Sequence, residues 1–280
     1  LNQQQLDSLS LLSKSESLIN IHLPRNQNAL IESKKRLVFD ELFLLQMKFL
    51  LRKRKNNMKS KTQNSIQKRF LLQDFLDKVP FQLTKSQKKV LEEIKCDLSD
   101  LTPMSRLLQG DVGSGKTIIA IISLLIVLEK DQQGALMVPT EVLAGQHYNN
   151  LLKFLNPLLV SVELLTGNTS MKKRKEILNN LKNGMVDILV GTHALFEDKV
   201  IFNSLGMVVI DEQHRFGVTQ RNRLLNKGDN TNLLSMTATP IPRTLALSLY
   251  GDLDISQITE LPPGRVPITT KIILEDDLDK

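Results

Sequence analysis

The chain has 280 residues, of which 41% are hydrophobic and 24% charged, so it can bury one large core and still carry an appendage. Its single cysteine, Cys96, excludes an internal disulfide and fits a reducing compartment, and its four histidines lack the spacing of a zinc site. The longest strongly apolar run, residues 118–128, is too short to span a bilayer and predicts a buried helix. No charged-then-apolar leader opens the chain, and we expect a cytoplasmic protein.

The net charge of +7 is concentrated in the N-terminal quarter of the chain. Residues 1–70 hold 14 Lys and Arg against 5 Asp and Glu, whereas residues 71–280 hold 23 against 25. A basic block of this kind attracts polyanions such as nucleic acid, but it is equally typical of a lysine-rich helix face in water. Composition leaves both interpretations open.

The first predicted elements in chain order are two helices, which follow a polar stretch. Residues 1–28 are polar with short leucine clusters, and from about residue 29 to 55 a helical pattern follows. Apolar residues there recur at four, three and four positions, which lines up one face of a helix: Val38, Leu42, Leu45 and Phe49. A polar stretch, residues 58–69, predicts a linker, and a second short helix is predicted at about 69–78, ending before Pro80.

From Phe81 onwards, short apolar runs alternate with segments of helical spacing. Six of the runs are predicted strands: residues 106–109, 135–138, 162–165, 187–190, 207–210 and 232–236. The alternation predicts an α/β fold built from βαβ units, with a parallel sheet covered by helices on both faces. Because active sites in such sheets lie at the carboxyl ends of the strands, the residues that follow each run are the candidates for chemistry.

A phosphate-binding loop follows the first predicted strand. Residues 110–117, GDVGSGKT, match the G-x-x-x-x-G-K-[ST] pattern between a strand and a helix. Gly113 and Gly115 allow the backbone N–H groups to point at phosphate oxygens, and the helix dipole adds positive potential. Lys116 can place its ammonium on the outer phosphates, and Thr117 can offer a hydroxyl to Mg²⁺. A glycine turn that only caps a helix is the alternative.

Two adjacent carboxylates, Asp211 and Glu212, end another predicted strand, where repulsion and desolvation both work against them. A nearby positive charge would stabilise such a pair, and the phosphate loop supplies it through Lys116 and Mg²⁺. We expect Asp211 to hold Mg²⁺ on the phosphates and Glu212 to orient or deprotonate the attacking water. A purely structural role in ion pairs is the alternative for both.

Hydroxyl and amide side chains follow several other runs. Gln87, before the phosphate loop, can contact an adenine edge through its amide, or it can be an ordinary helix residue. Thr140 and Thr192 can hold the phosphates of a nucleic-acid strand at helix N-termini, or they can simply cap those helices. Thr166 gives a weaker signal of the same kind. At the end of the last predicted strand, two hydroxyls can bond to the carboxylate strand: Thr237 and Thr239.

Taken in chain order, these residues resemble superfamily-two helicases and translocases. The matching segments are Gln87, GDVGSGKT, PTEVLAGQH, TG, GTHAL, DEQH and TATP. Longer strings resemble the RecG-type ATP-dependent DNA helicases of bacteria, which remodel branched DNA in recombination and repair: DEQHRFGVTQR, TATPIPRTLAL and GDLDISQITELPPGR. INIHLP and KKRLVFDELFLLQMKFLLRK resemble the segment that joins the wedge domain of that family to its motor. The resemblance covers nearly all of residues 15–270.

The resemblance implies a role for each matching residue. Gln87 would contact adenine, while the phosphates and Mg²⁺ of ATP would be held by Gly113, Ser114, Gly115, Lys116 and Thr117 together with Asp211. Glu212 would serve the water. A DNA track would be lined by Thr140, Gln146, Thr166, Thr192 and His193. Coupling of nucleotide state to DNA would fall to Gln213, His214, Thr237, Thr239 and Arg243.

The resemblance also implies parts that the chain lacks. Family members carry a second RecA-like domain that completes the ATP cleft with an arginine finger, worth ~10³–10⁵ in rate. We therefore expect a helical connector at 1–80, a RecA-like domain at 81–265 and the start of a linker at 266–280. We expect this stretch alone to hydrolyse little ATP. The expected partners are branched DNA and the missing second motor and wedge domains, in a monomer associated with the bacterial nucleoid.

Two other functions stay open. The transcription-repair coupling factor, a duplex DNA translocase, shares the HRFGV stretch, although it typically has Glu where this chain has Gln213. A non-catalytic module that binds nucleic acid or a partner through the basic helix is the third interpretation.

Overall fold

The computed structural model describes residues 2–57, 70–212, 216–239 and 253–262, except for the side chains of Phe49, residues 52–57 and Val218. The predicted linker at 58–69 and the predicted start of a linker at 266–280 lie outside the described residues. Nine α-helices occur in the described part: α1 (Gln3–Ser8), α2 (Lys14–His22), α3 (Gln27–Asn57), α4 (Leu71–Lys78), α5 (Lys85–Ser99), α6 (Lys116–Leu128), α7 (Glu141–Leu155), α8 (Met171–Lys182) and α9 (Val218–Leu225).

The described strands form one seven-stranded sheet in which all the neighbouring strands run parallel. The strands are β1 (Ser105–Gly110), β2 (Gln133–Met137), β3 (Val162–Leu165), β4 (Ile188–Gly191), β5 (Leu205–Ile210), β6 (Asn232–Thr237) and β7 (Asp254–Ile258). Their order across the sheet is β3-β4-β2-β5-β6-β1-β7. The predicted α/β class, with a parallel sheet covered by helices, is confirmed, and each of the six predicted strands is present.

Three elements were not predicted. Strand β7, DISQI, lies beyond β1 and carries polar side chains at positions 254, 256 and 257, so it lacks a continuous apolar run. Helices α1 and α2 lie in the stretch that the sequence marked only as polar. Each helix begins after a residue whose side chain caps it, Asn2 for α1 and Ser13 for α2, and each has few buried residues. The sequence therefore offers a capping residue for each helix but no row of apolar residues that would predict it.

The core of the sheet domain lies in two layers, one on each face of the sheet. Helix α6 contributes most to the first layer, since nine of its thirteen residues are buried, which matches the predicted buried helix at 118–128. Helices α5 and α7 also contribute to that layer. Helix α8 contributes Ile177 and Leu181 to the second layer, and α9 contributes Leu224. Helices on both faces leave the carboxyl ends of the strands open for the site.

Helix α4 belongs to the first layer although it precedes the predicted boundary at residue 80. Leu71 and Phe75 are buried in that core. The backbone N–H of Leu72 donates to the carboxylate of Glu129, and Lys78 donates to the carbonyl of Pro157. The division at residue 80 stays a prediction, and α4 makes its contacts on the sheet side of it.

The predicted helix at 29–55 is α3, which packs against α2. Two of the four residues of the predicted apolar face lie in water, since Val38 is 53% exposed and Leu42 is 46% exposed. The buried positions are polar instead: Arg36 donates to the carbonyl of Leu12 and pairs with Asp40. Across the described residues, helices that are long and apolar enough to cross a membrane are absent.

Candidate active site

The phosphate loop leaves the carboxyl end of β1 and turns into α6 through two left-handed glycines. Gly113 has φ 77° and Gly115 has φ 91°, a region that side chains other than glycine rarely adopt. A Cβ atom on Gly115 would also collide with the amide of Gln87. The loop is closed internally by a hydrogen bond from the Ser114 N–H to the Asp111 carbonyl, at 3.1 Å. Glycine is therefore required at position 115 both by conformation and by space.

Lys116 lies across this loop with its ammonium directed at backbone oxygens. Nζ donates to the carbonyl of Gly110 at 2.7 Å and to that of Asp111 at 3.0 Å. Burial lowers the pKa of Lys116, and the negative charges of Asp211, Glu212 and Asp111 oppose that change. The ammonium thus lies within electrostatic range of the carboxylate pair, and its predicted role toward the phosphates stays a prediction.

The carboxylate pair lies where β5 ends. The Asp211 N–H donates to the carbonyl of Met137 on the adjacent strand β2, at 2.9 Å. Of its carboxylate oxygens, Oδ1 accepts from the Glu212 N–H at 3.0 Å, and Oδ2 lies 2.9 Å from Nε2 of His147. Glu212 has φ 51°, so a residue with a full side chain occupies the left-handed region. Such strain is concentrated at functional sites.

Strand β6 separates the phosphate-loop strand from the carboxylate strand. Gln109 of β1 pairs with Thr237 of β6, and Ile210 of β5 pairs with Ser235. Thr237 is 3% exposed, and its hydroxyl bonds to that of Thr239 at 2.7 Å. The two threonines thus lie between the two halves of the site. Their predicted bond to the carboxylate strand stays a prediction.

The residues at the loop fit a nucleoside triphosphate with Mg²⁺. Ser114 Oγ is buried and has no hydrogen-bond partner among the described residues, so a polar atom is available at the loop. Thr117, in the first turn of α6, and Asp211 offer the hard oxygen ligands that Mg²⁺ prefers. The N-terminus of α6 adds the N–H groups and dipole that favour phosphate.

Gln87 connects the start of α5 to the phosphate loop. Its Oε1 accepts from the Thr84 N–H at 2.9 Å, and its Nε2 donates to the Ser114 carbonyl at 2.8 Å. The side chain is 4% exposed. One hydrogen of the amide nitrogen remains for a further acceptor, so the predicted adenine contact stays a prediction.

The residues predicted to line a DNA track divide into exposed and buried ones. Thr140, Gln146 and His193 are exposed, whereas Thr166 and Thr192 are 7% and 1% exposed. Thr140 caps α7 by accepting from the Leu143 N–H at 3.3 Å, so the simple capping role that the sequence left open is present. Thr166 and Thr192 are buried as whole residues, so the surface of the predicted track is formed by Thr140, Gln146 and His193.

A cavity of about 590 Å³ joins two of the exposed track residues to Glu212. Its wall contains Thr140, His193 and Glu212 together with Pro139, Leu143, Phe216 and Gln220. The structure therefore brings two predicted DNA contacts to the same cavity as the predicted water-orienting residue. The coupling candidates Gln213, His214 and Arg243 lie outside the described residues.

Sequence reasoning missed two residues that organise the site. His147 contacts Asp211 from the buried face of α7, and although its spacing from Ala144 and Leu151 signals burial, nothing in the sequence marks Asp211 as its partner. Glu141 connects two predicted DNA segments: its carboxylate accepts from the side chain of Asn168 and from the Asn168 N–H, the latter at 3.3 Å. Nothing local in the sequence marks that contact.

A parallel sheet with a phosphate loop after β1 and a carboxylate pair after β5 defines a nucleotide-binding domain of the RecA-like class. The DEAD/DEAH box helicase family matches residues 84–247, which is more than half of the chain. The chain therefore belongs to the DEAD/DEAH box helicase family.

Individual relatives confirm the resemblance to RecG-type helicases. The chain is 50% identical to the ATP-dependent DNA helicase RecG of Synechocystis sp. over 98% of its length, and 40% identical to that of Thermotoga maritima over 100%. The chain spans about a third of the length of these relatives, 33% of the Synechocystis protein and 36% of the Thermotoga protein. A solved structure of RecG bound to a three-way DNA junction is similar over the whole chain, with a TM-score of 0.85 and 38% identity, and the chain covers 37% of it. The yeast DEAD-box splicing factor Prp28, at 19% identity and a TM-score of 0.51, shares the fold.

Proposed function

We propose that the chain is the first ATP-hydrolysing motor domain, with its helical connector, of a RecG-type helicase that remodels branched DNA in recombination and repair. The observation that carries the proposal is that the phosphate loop with Lys116 follows β1, the pair Asp211–Glu212 follows β5, and both lie at the carboxyl ends of strands in one parallel sheet. Similarity to RecG relatives over nearly the whole chain supports the choice of DNA as the substrate. The relatives are about three times longer, so the activity belongs to the intact protein.

Each part of the phosphate site has a separate task in this proposal. The N–H groups of residues 113–117 bind the phosphate oxygens of ATP, and Lys116 shifts its ammonium from the loop carbonyls to the outer phosphates. Thr117 and Asp211 hold Mg²⁺, which neutralises charge that develops on the phosphates. Glu212 accepts a hydrogen bond from the attacking water and orients it. Gln87 contacts the adenine with its remaining amide hydrogen.

The DNA track follows the cavity that ends at Glu212. Thr140, Gln146 and His193 contact the DNA through exposed side chains, and Thr166 and Thr192 shape the track from buried positions. Gln213, His214, Thr237, Thr239 and Arg243 transmit the state of the nucleotide. The proposed partners are branched DNA and, within the intact monomer, a second motor domain and a wedge domain. The proposed location is the bacterial nucleoid, where the DNA substrate lies.

The test is ATP turnover of the intact protein with and without branched DNA. We expect branched DNA to stimulate turnover more than plain duplex does. Lys116→Ala should abolish turnover, because the phosphates lose their cation, and Glu212→Gln should abolish it while nucleotide binding persists. The exposed Lys175, on α8, provides a matched control as Lys175→Ala, which should behave as wild type.

Three results would contradict the proposal in different ways. Unchanged turnover in Lys116→Ala would remove the phosphate loop from the reaction. Stimulation by plain duplex equal to that by branched DNA would favour the transcription-repair coupling function. Full cellular activity of Glu212→Gln would favour a non-catalytic binding module.

A further inference from the structure

Helix α7 places one polar side chain among the apolar residues that face the sheet. Ala144, Leu151 and Leu155 are buried on that face, and His147 is buried with them at 8% exposed. A buried imidazole loses its hydration and is tolerated when a specific partner replaces the water. The partner of His147 is the carboxylate of Asp211, 64 residues further along the chain.

The contact fixes which nitrogen of the ring carries hydrogen. His147 Nε2 lies 2.9 Å from Asp211 Oδ2, and because an ionised carboxylate only accepts hydrogen bonds, Nε2–H is the donor. The other ring nitrogen, Nδ1, is buried without a hydrogen-bond partner among the described residues. The ring therefore keeps its place through one polar contact, the one to Asp211.

Both oxygens of the Asp211 carboxylate are held from the protein side. Oδ1 accepts from the Glu212 N–H at 3.0 Å and Oδ2 accepts from His147. A carboxylate offers about four lone pairs, so each oxygen retains one for a metal ion or its bound water. Two fixed oxygens determine the plane of the carboxylate and hence the direction in which those lone pairs point.

We propose that His147 is a positioning residue that orients the Asp211 carboxylate toward the metal ion of the nucleotide complex. The inference rests on the proposed function, in which Asp211 holds Mg²⁺. It also gives α7 a second task. The helix begins after Thr140 and carries Gln146 exposed beside His147, so it holds two candidate DNA contacts as well as the residue that orients the metal ligand.

The test compares variants of His147 that differ only in the donor. His147→Leu replaces the ring with an apolar side chain of similar bulk that has no donor, whereas His147→Gln places an amide N–H near the position of Nε2. Binding of a fluorescent ADP analogue to the intact protein is titrated with Mg²⁺ and again in EDTA. Removing a group that orients a metal ligand costs about 10–100-fold in metal affinity.

We expect His147→Leu to need about 10–100-fold more Mg²⁺ for half of the metal-dependent gain in ADP binding, with unchanged affinity for ADP in EDTA. His147→Gln should recover most of the loss, and Asn149→Ala, an exposed neighbour on α7, should match wild type. His147→Asn, whose shorter amide does not reach Oδ2, replaces the leucine variant if circular dichroism shows that the latter does not fold.

Separate outcomes overturn the inference and the proposed function. Wild-type Mg²⁺ dependence in the leucine or asparagine variant, with Asp211→Asn impaired, would overturn the role of His147 alone. Equal impairment of the leucine and glutamine variants would do the same, because the loss would then follow packing and not the donor. If Asp211→Asn binds ADP with the same Mg²⁺ dependence as wild type, the metal role of Asp211 fails and the proposed function with it.

Discussion

The amide of Gln87 is the residue-scale feature that connects nucleotide recognition to loop shape. Both of its ends are bonded inside the protein, to Thr84 and to Ser114. Since Gly115 leaves no room for a side chain beside that amide, the glutamine and the glycine are matched to each other. A contact with adenine would thereby act directly on the conformation of the phosphate loop.

The consequence is testable with Gln87→Ala. Loss of the amide leaves the Ser114 carbonyl without its donor, and we expect nucleotide affinity to fall roughly tenfold, which corresponds to about 1.4 kcal/mol. Binding of ATP and GTP measured in parallel separates the two tasks of the residue. An equal loss of affinity for ATP and GTP would indicate that Gln87 acts through its contact with the loop. A larger loss for ATP than for GTP would indicate that it also contacts adenine. Unchanged affinity for both nucleotides would contradict both tasks. Gln73→Ala, an exposed amide on α4, is the control.

Residues with a local signature were predictable, and residues whose partners are distant were not. The glycines, Lys116 and the carboxylate pair stand in short motifs, because one turn of backbone must meet one phosphate group. The contacts of His147 with Asp211 and of Glu141 with Asn168 join residues 64 and 27 positions apart. Only the fold brings such pairs together, and one sequence carries no sign of it.

At the scale of elements, the end of β7 is attached to the start of α5. The Glu260 carboxylate accepts from the Ser86 N–H at 3.1 Å, and this bond lowers the pKa of Glu260 despite its full exposure. Ser86 lies next to Gln87 in the first turn of α5. The attachment therefore stabilises the turn from which Gln87 reaches the phosphate loop.

This attachment makes the stability of the first turn of α5 depend on pH, and the lowered pKa of Glu260 gives the sign. A carboxyl group whose folded-state pKa is lowered stabilises the folded state at pH values above its ordinary pKa of about 4.3. This stabilisation is lost as the pH falls through the lower folded-state pKa. We expect the hydrogen-exchange protection of the Ser86 N–H to decrease in that acid range and to be low at every pH in Glu260→Ala. Glu92→Ala, in the middle of α5, should leave it unchanged. Constant protection in Glu260→Ala would show that the contact contributes nothing in solution.

The elements themselves were predictable to the extent that they bury apolar runs. The six strands from β1 to β6 carry such runs. Strand β7 buries only Ser256 and Ile258 of its five residues. Helix α3 shows the reverse case: its helical spacing was correct, but Ser33 and Arg36 are buried while Val38 and Leu42 are exposed. Spacing predicts a helix, whereas the partner of its face is decided by tertiary structure.

At the scale of the molecule, Arg106 joins three elements through one guanidinium group. It donates from β1 to Asp97 of α5 at 2.7 Å, to Glu93 of α5 at 3.2 Å and to Ser256 of β7 at 2.7 Å. The arginine is 8% exposed. Its removal would leave two carboxylates facing a position from which water is largely excluded.

We expect Arg106→Met to lower the free energy of unfolding by about 3 kcal/mol, the lower end of the cost of breaking a buried ion pair, because both carboxylates are partly exposed. Urea unfolding measures the change. Lys173→Met removes a 47% exposed lysine from its pair with Glu163, and a surface pair of this kind contributes about 0–1 kcal/mol. A loss in Arg106→Met no larger than that of the control would mean that the network adds nothing to stability.

The strand order also determines when the phosphate loop can assemble during synthesis. Strand β1 has β6 and β7 as its neighbours in the sheet, and both are translated on the order of 10 s after it at ordinary ribosome speeds. Until then β1 has no strand to pair with, and the loop that follows it has no fixed shape. Strands β2 to β5 can pair with one another meanwhile. The nascent chain therefore has its carboxylate strand in place before it can hold a nucleotide.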